Sequence, residues 1–265
     1  MVRTVWFCPW GRTGNNIVQY CAAEVIRHIF QFDNVQKIEG NPRNMLEIRD
    51  DKYKEIVENY MKYPSEYLEC DRDIYLYGFF QYSSILVYLR PQLLSLFHES
   101  NHTNISHDNY TISQIISHKT NNIITNEDVV IHLRLDDYIH DNNPPHIFDK
   151  EKLGELIDML TFKKLYIVCD ELRTEWEKKY VEYFKQKYNT ILLSGSLLDD
   201  FTILRKAKRL ITSPSTFCWI AAFLGEGEEV IIPYSDFYKG GQTLKECHEH
   251  SKVYYGIPFT TNLLS

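Results

Sequence analysis

The sequence contains no apolar run approaching the ~20 residues of a membrane-spanning helix, so no integral membrane segment is expected. No secretory leader is expected either, because Met1–Phe7 is too short for one and is soon interrupted by Pro9 and Gly11. A soluble, cytoplasmic protein is the expectation, and the crowded sequons at Asn101, Asn104 and Asn109 then carry no meaning. No C-x-x-C pair occurs among the scattered Cys8, Cys21, Cys70, Cys169, Cys218 and Cys247. That spacing argues against a zinc site or a disulfide framework and for small buried or free thiols. Positive charge is in deficit: 29 Lys and Arg against 36 Asp and Glu leave a net charge of −7. Such a chain does not suit whole-surface binding of nucleic acid or anionic membrane, although a local basic patch is compatible with it. Internal repeats and low-complexity tracts are absent too.

What is present is ordinary globular material: 265 residues, 44% hydrophobic and 25% charged, enough for a real core and for one large or two modest domains. Val5–Cys8 reads as a buried strand, Pro9–Gly14 as a turn, and residues 16–30 as a helix. A polar, Tyr-rich helix is expected within 50–70, a strand at 74–80, and a helix at 84–97 despite Pro91. Residues 98–111, rich in Asn, His, Ser and Thr, carry the strongest boundary signal. Beyond them strands are expected at 129–133, 165–169, 191–193, 209–212 and 229–232, alternating with helices at 150–160, 172–188, 199–207 and 215–224. Such alternation implies a parallel sheet covered on both faces. The expected architecture is α/β, with two Rossmann-like parallel-sheet halves facing a cleft, spanning residues 1–115 and 116–265.

Four segments could carry chemistry. Gly11-Arg12-Thr13-Gly14-Asn15-Asn16 joins strand to helix, and its glycines let backbone approach a ligand near a helix start that favours anions. It is neither G-x-G-x-x-G nor a Walker loop, and a plain structural turn explains it as well. In Val129–Tyr138 an apolar strand runs into Arg134, Asp136, Asp137 and Tyr138, with His132 on the same face as Arg134. The Arg134 fork suits a phosphate or carboxylate at a strand's carboxyl end; the alternative is a surface ion pair with Asp136 or Asp137. Ser213-Pro214-Ser215-Thr216-Phe217 offers hydroxyls and amides to an anion, or simply caps a helix. Gly78-Phe79-Phe80-Gln81 brings aromatic and amide groups to a strand end, as a sugar ring needs or as a packed core contains.

In this order the segments resemble glycosyltransferase family 11, the α-1,2-fucosyltransferases, and more distantly the α-1,6- and protein O-fucosyltransferases. Gly11–Tyr20 resembles the opening G-x-x-G-N-Q-hydrophobic-x-Q-Y, and Gly78–Ser83 the G-Y-W/F-Q-S element. His132-Leu133-Arg134-Leu135-Asp136-Asp137-Tyr138 resembles H-x-R-R-G-D-Y, and Cys169-Asp170-Glu171 with Trp176 resembles S-D-D…W. Pro214–Leu224 resembles N-S-T-F-S-W-W-A-A-W-L, and Val230–Phe237 the closing V-I-x-P-x-x-W-F. The resemblance implies a GT-B fold, a GDP-sugar donor as substrate with no resident cofactor or metal, and an oligosaccharide or glycan acceptor. Donor contacts are then implied for Gly11, Arg12, Gly14, Asn15, His132, Arg134, Asp170, Ser215, Thr216 and Phe217. Arg134 is implied as the residue that supports departure of the diphosphate, with Asp137 or Asp136 as candidate bases for the acceptor hydroxyl.

The implied reaction is inverting, metal-independent transfer of fucose from GDP-fucose, with an α-1,2 linkage. Asp71-Arg72-Asp73 spells D-x-D but precedes a strand, and is read as coincidence. Two departures keep alternatives open: Leu135 stands where the signature has its second arginine, and Pro214 where the last motif has asparagine. A transferase using another GDP-deoxyhexose such as GDP-rhamnose, and a non-catalytic nucleotide- or glycan-binding relative, are the two other readings. The loop Asp141–His146 is a candidate border of the acceptor site.

Overall fold

The structure, a computed structural model, describes residues 2–40, 44–64, 68–82, 85–86, 90–98, 110–121, 124–135, 147–233 and 251–254. Its contacts divide the chain into two units, Met1–Ser117 and His118–Ser265.

The first unit grows from short strands. Val5 and Phe7 of β1 (Thr4–Phe7) are fully buried, and α1 (Thr13–Ile29) follows. Fourteen of the 17 residues of α1 are buried, which makes it a core helix rather than an amphipathic surface one. Its one buried carboxylate, Glu24, is satisfied by the Tyr20 hydroxyl at 2.6 Å and Arg27 Nε at 2.7 Å. Next come β2 (Asn34–Lys37), β3 (Leu46–Arg49), α2 (Asp50–Lys62), β4 (Ile74–Tyr77), α3 (Arg90–His98) and α4 (Ile112–Ser117). The four strands form a parallel sheet in the order β2-β1-β4-β3. The two edge strands were not expected from the sequence. Each is polar and buries a single side chain, Val35 in β2 and Ile48 in β3, so neither produces an apolar run. Pro91 sits in the first turn of α3, where a missing amide hydrogen costs nothing.

Asp73 explains the D-x-D spelling. Its carboxylate accepts from the Thr4 amide at 3.0 Å and from Trp6 Nε1 at 2.9 Å, tying the start of β1 to the start of β4.

The second unit contains β5 (Val129–His132), α5 (Lys150–Asp158), β6 (Leu165–Val168), α6 (Glu175–Lys187), β7 (Thr190–Leu193), α7 (Leu197–Lys206), β8 (Arg209–Ile211), α8 (Thr216–Phe223), β9 (Glu229–Pro233) and β10 (Ser251–Tyr254). All six strands are parallel, in the order β10-β9-β8-β5-β6-β7. Read from β7, this is the dinucleotide-binding order 3-2-1-4-5-6. Every residue of β5 and β6 is buried, as befits central strands covered on both faces. Helix α6 begins three residues later than the apolar pattern suggests. Thr174 and Glu177 form a capping box that fixes the start, with Glu177 also taking the Arg173 amide at 2.7 Å. The chain thus has two Rossmann-like α/β units, and no described helix is long and apolar enough to cross a membrane. Cys8, Cys21, Cys70, Cys169 and Cys218 are free thiols, three of them buried.

Candidate functional site

In an open parallel sheet a ligand crevice forms at the carboxyl ends of the two strands between which the strand order reverses. In the second unit those strands are β5 and β8. Val129, Ile131, Leu133 and Leu135 all pack into the hydrophobic core, so the alternation turns His132 and Arg134 to the other face. His132 Nδ1 shares a 2.6 Å hydrogen bond with Ser213 Oγ beyond β8. Arg134 Nη1 donates to Ser215 Oγ at 3.4 Å. The half-buried Phe217 ring lies 6.0 Å from the His132 ring and 5.4 Å from Phe201. Thus His132, Arg134, Ser215 and Phe217 come together, and Thr216 opens α8 beside them. Neither serine is tied up as a helix cap. Ser213 is engaged by His132, and Ser215, the N-cap residue, makes no side-chain cap hydrogen bond.

Electrostatics separate these groups sharply. Burial, reinforced by the Arg134 cation, pushes the His132 pKa down to about 3, so the imidazole is neutral near pH 7. Arg134 is therefore a fixed cation beside a neutral histidine. Asp170 is exposed at the end of β6, on the other side of β5 from β8. Asp200, in the first turn of α7, was not singled out from sequence. Burial pushes its carboxyl up to about 6, opposed by the Gly195 amide and reinforced by Asp170 and Asp199. The carboxyl ends of this sheet are cationic towards β8 and acidic towards β7. Asp136 and Asp137 lie outside the described residues, as do Tyr138 and the loop Asp141–His146. Trp176 stacks on Tyr180 at 5.2 Å against the core and serves packing.

In the first unit the loops after the two central strands, β1 and β4, are cross-linked. The fully buried Gln19 accepts from the Trp10 amide at 3.1 Å and donates to the Gly78 carbonyl at 2.9 Å. Gln81 Nε2 donates to Asn15 Oδ1 at 3.0 Å. Gly11 has φ +76°, and a Cβ there would overlap the Asn15 amide, so this position requires glycine. Helix α1 starts at Thr13, earlier than expected from sequence. Gly14 and Asn15 therefore belong to its first turn, and exposed Arg12 is the N-cap residue. Asp50, which heads α2, was also missed. It accepts from the Phe80 amide at 2.7 Å and the Phe79 amide at 3.2 Å. Nothing local marks it beyond an acid at a helix start.

A further pattern concerns helix starts. Among the helices with a described N-cap, α2, α5, α6 and α7 carry acids in the first turn, and α5, α6 and α7 a capping side chain as well. Helices α1 and α8 have neither. An N-terminus with neither an acid in its first turn nor a capping side chain is compatible with an anion bound there.

These features can be set beside known proteins. The model of glycosyl transferase family 11 matches residues 33–250, most of the chain. The chain belongs to glycosyl transferase family 11. The matched stretch of this family member contains Gly78–Gln81, His132, Arg134, Asp170 and Ser215–Phe217, and begins after the Gly11–Tyr20 segment. A comparison with curated proteins returns no match. Among solved structures, the family 11 chain is similar to POFUT1 in complex with GDP-fucose, at 10% identity and a TM-score of 0.38, over 95% of this chain and 97% of that one. Membership makes the protein a glycosyltransferase of the α-1,2-fucosyltransferase family.

Proposed function

We propose that this family 11 enzyme transfers fucose from GDP-fucose to a glycan hydroxyl, inverting the anomeric centre, forming an α-1,2 linkage and using no metal. The observation that carries the donor assignment is the pairing of Arg134 with Ser215 across the point where the strand order reverses, next to the uncapped start of α8. The leaving diphosphate gains negative charge as the C1–O bond breaks through an oxocarbenium-like state. A fixed guanidinium, a serine hydroxyl and the start of α8 are pre-placed donors for that charge, and pre-placement is what lowers the barrier. His132, kept uncharged by burial and by Arg134, holds Ser213 at 2.6 Å, and its part is to position that serine. The acidic side formed by Asp170 and Asp200 repels phosphate and suits the N–H edge of guanine, which orients the nucleotide along the sheet end. Gly11, Arg12, Gly14 and Asn15 offer a second anion-binding loop at the uncapped start of α1. Asp137 or Asp136 takes the proton of the acceptor hydroxyl.

Leu135 sits in the core at 3% exposure, so the residue after Arg134 supplies no second cation to the donor. That observation keeps GDP-rhamnose in the test. Thermal shift with GDP, GDP-fucose, GDP-rhamnose, GDP-mannose and UDP separates the readings. A ligand at a hundred times its Kd stabilises the fold by about 2.7 kcal/mol. Stabilisation by GDP and GDP-fucose but not UDP, followed by transfer to a glycan, is the expected result. A response to GDP-rhamnose alone replaces the donor, and silence towards every nucleotide refutes the donor site proposed at Arg134 and α8.

A further inference from the structure

One carboxylate of the first unit is turned away from its own helix. Asp50 opens α2, and the exposed Asp51 beside it supplies that helix start with an acid in any case. Asp50 reaches instead to the loop after β4. Its Oδ1 accepts from the Phe80 amide at 2.7 Å and its Oδ2 from the Phe79 amide at 3.2 Å.

The loop it holds is strained. Phe80 adopts φ +54°, a left-handed conformation that bulky residues avoid, with its ring buried against Tyr53 at 4.9 Å. Such outliers persist only where the surroundings fix them, and they concentrate at functional positions. This turn is fixed at three points: two amides by Asp50, and the Gly78 carbonyl by Gln19 Nε2 at 2.9 Å. A Cβ on Gly78 would overlap the Asp50 carboxylate, so backbone and acid are in close contact there.

The residue directly after the strained one is Gln81, whose Nε2 donates to Asn15 Oδ1 at 3.0 Å. A side-chain amide has an acceptor end and a donor end, and engaging one decides where the other faces. With Oδ1 taken by Gln81, the Asn15 NH2 lies over Gly11: Nδ2 is the atom that a Cβ on Gly11 would meet first. Asn15 thus presents a donor, not an acceptor, at the loop of positive-φ Gly11 and the uncapped start of α1. An anion needs that polarity, and the reversed amide would repel it.

We propose that Asp50 is a positioning residue of the transferase: by holding the Phe79–Phe80 turn it aims Gln81, and Gln81 fixes the Asn15 amide with its NH2 towards the donor diphosphate. This rests on the anion-binding part proposed above for the Gly11–Asn15 loop. Asp50 itself touches no substrate. It acts at two removes, through groups that lock the side chain facing the ligand.

The test uses the full chain with nitrogen-labelled asparagine, GDP binding by calorimetry, and GDP release from GDP-fucose. Asn15→Ala identifies the Asn15 side-chain amide resonance by its loss. Gln81→Ala and Asp50→Ala should each shift that resonance, slow GDP release and lower GDP affinity about fivefold or more, the scale of one hydrogen bond. The double variant should lose no more than the larger single loss, because the two residues act through one chain of contacts. Asp50→Asn keeps an acceptor for the Phe80 amide and should restore part of each effect. Asp51→Asn removes the same charge from the same helix start and should change none of them. If Asp50→Ala does not fold, Asp50→Asn with Gln81→Ala makes the same comparison. The proposal is overturned if the Asn15 resonance stays at its wild-type position in the Asp50 variants, if those variants bind GDP as wild type does, if the Asp50 and Gln81 losses add, or if Asp51→Asn matches Asp50→Asn. A wild type that binds no GDP refutes the donor reading, whereas an unmoved Asn15 resonance in a chain that binds GDP refutes the role of Asp50 alone.

Discussion

Replacing His132 by asparagine tests the electrostatics of the proposed donor site most directly. Its pKa falls from an ordinary 6.5 to about 3 in the folded protein. A base whose folded pKa is depressed contributes stability above its unfolded pKa and loses it as pH drops towards the folded value. The window is therefore pH 6.5 down to about 3. Going from about pH 7 to about pH 5 charges this imidazole in the unfolded chain only, which costs about 2 kcal/mol at ~1.4 kcal/mol per pH unit. Asp200 acts with the opposite sign. Its carboxyl is raised from 3.8 to about 6, so acidification protonates it in the folded state first. That relieves a buried charge and returns about 1 kcal/mol over the same interval.

The wild-type chain should accordingly lose only about 1 kcal/mol from these two groups between pH 7 and 5. His132→Asn removes the destabilising share, so its acid loss should shrink by about 2 kcal/mol relative to wild type, whatever its absolute stability. Asp200→Asn should do the reverse and steepen the loss. Guanidinium denaturation of the three proteins at the two pH values gives the double difference, and imidazole-labelled NMR follows His132 itself. An imidazole titrating above about pH 5, or a His132→Asn profile parallel to wild type within about 0.5 kcal/mol, would refute the claim that Arg134 stands beside a neutral His132.

Three other outcomes follow from the same geometry. Arg134→Ala should lower kcat by ~10²–10³-fold, the scale of losing one transition-state anion donor, and Arg134→Lys should recover only part because the planar fork is lost; retained turnover removes Arg134 from the mechanism. Gly78→Ala should cost ~1–3 kcal/mol by pushing Asp50 off the Phe79 and Phe80 amides, and combining it with Asp50→Ala should cost clearly less than the sum in a denaturation cycle. Thr216→Glu should raise stability by ~0.3–1 kcal/mol through the helix dipole while weakening GDP binding at least tenfold, and unchanged GDP affinity by calorimetry would show that the start of α8 does not face the diphosphate.

The sequence made the second unit more legible than the first, for a physical reason. Central parallel strands such as β5 and β6 are apolar on both faces and announce themselves as runs, whereas β2 and β3 bury one residue each and read as loop. Helix ends were displaced where a cap, not a hydrophobic residue, decides: Thr174 with Glu177 at α6, Ser196 at α7. For the site, residue types were readable and pairings were not. His132 meets Ser213, and Arg134 meets Ser215, across 81 residues; Gln19 meets Gly78 across 59 and Asn15 meets Gln81 across 66. No local pattern encodes such partners. Asp50 was invisible because an acid at a helix start is unremarkable, and its second task shows only when β4 is laid beside β3.

Net charge and site charge can now be separated. A chain with 36 acidic and 29 basic residues has acids to spare at helix starts, and α2, α5, α6 and α7 all use them there. Only α1 and α8, among the helices with a described N-cap, forgo both acid and capping side chain. They follow the two segments that resemble the first and last motifs of the family, and each forgone cap is worth roughly 1 kcal/mol of stability. A purely structural loop would have no reason to decline that stabilisation twice. An anionic ligand would supply one, and the diphosphate of the proposed donor carries the charge that suits a helix start with no acid of its own. The acidic surface and the proposed donor site at α8 are therefore compatible: the positive potential there comes from the Arg134 guanidinium and the start of α8, neither of which requires the chain as a whole to be basic.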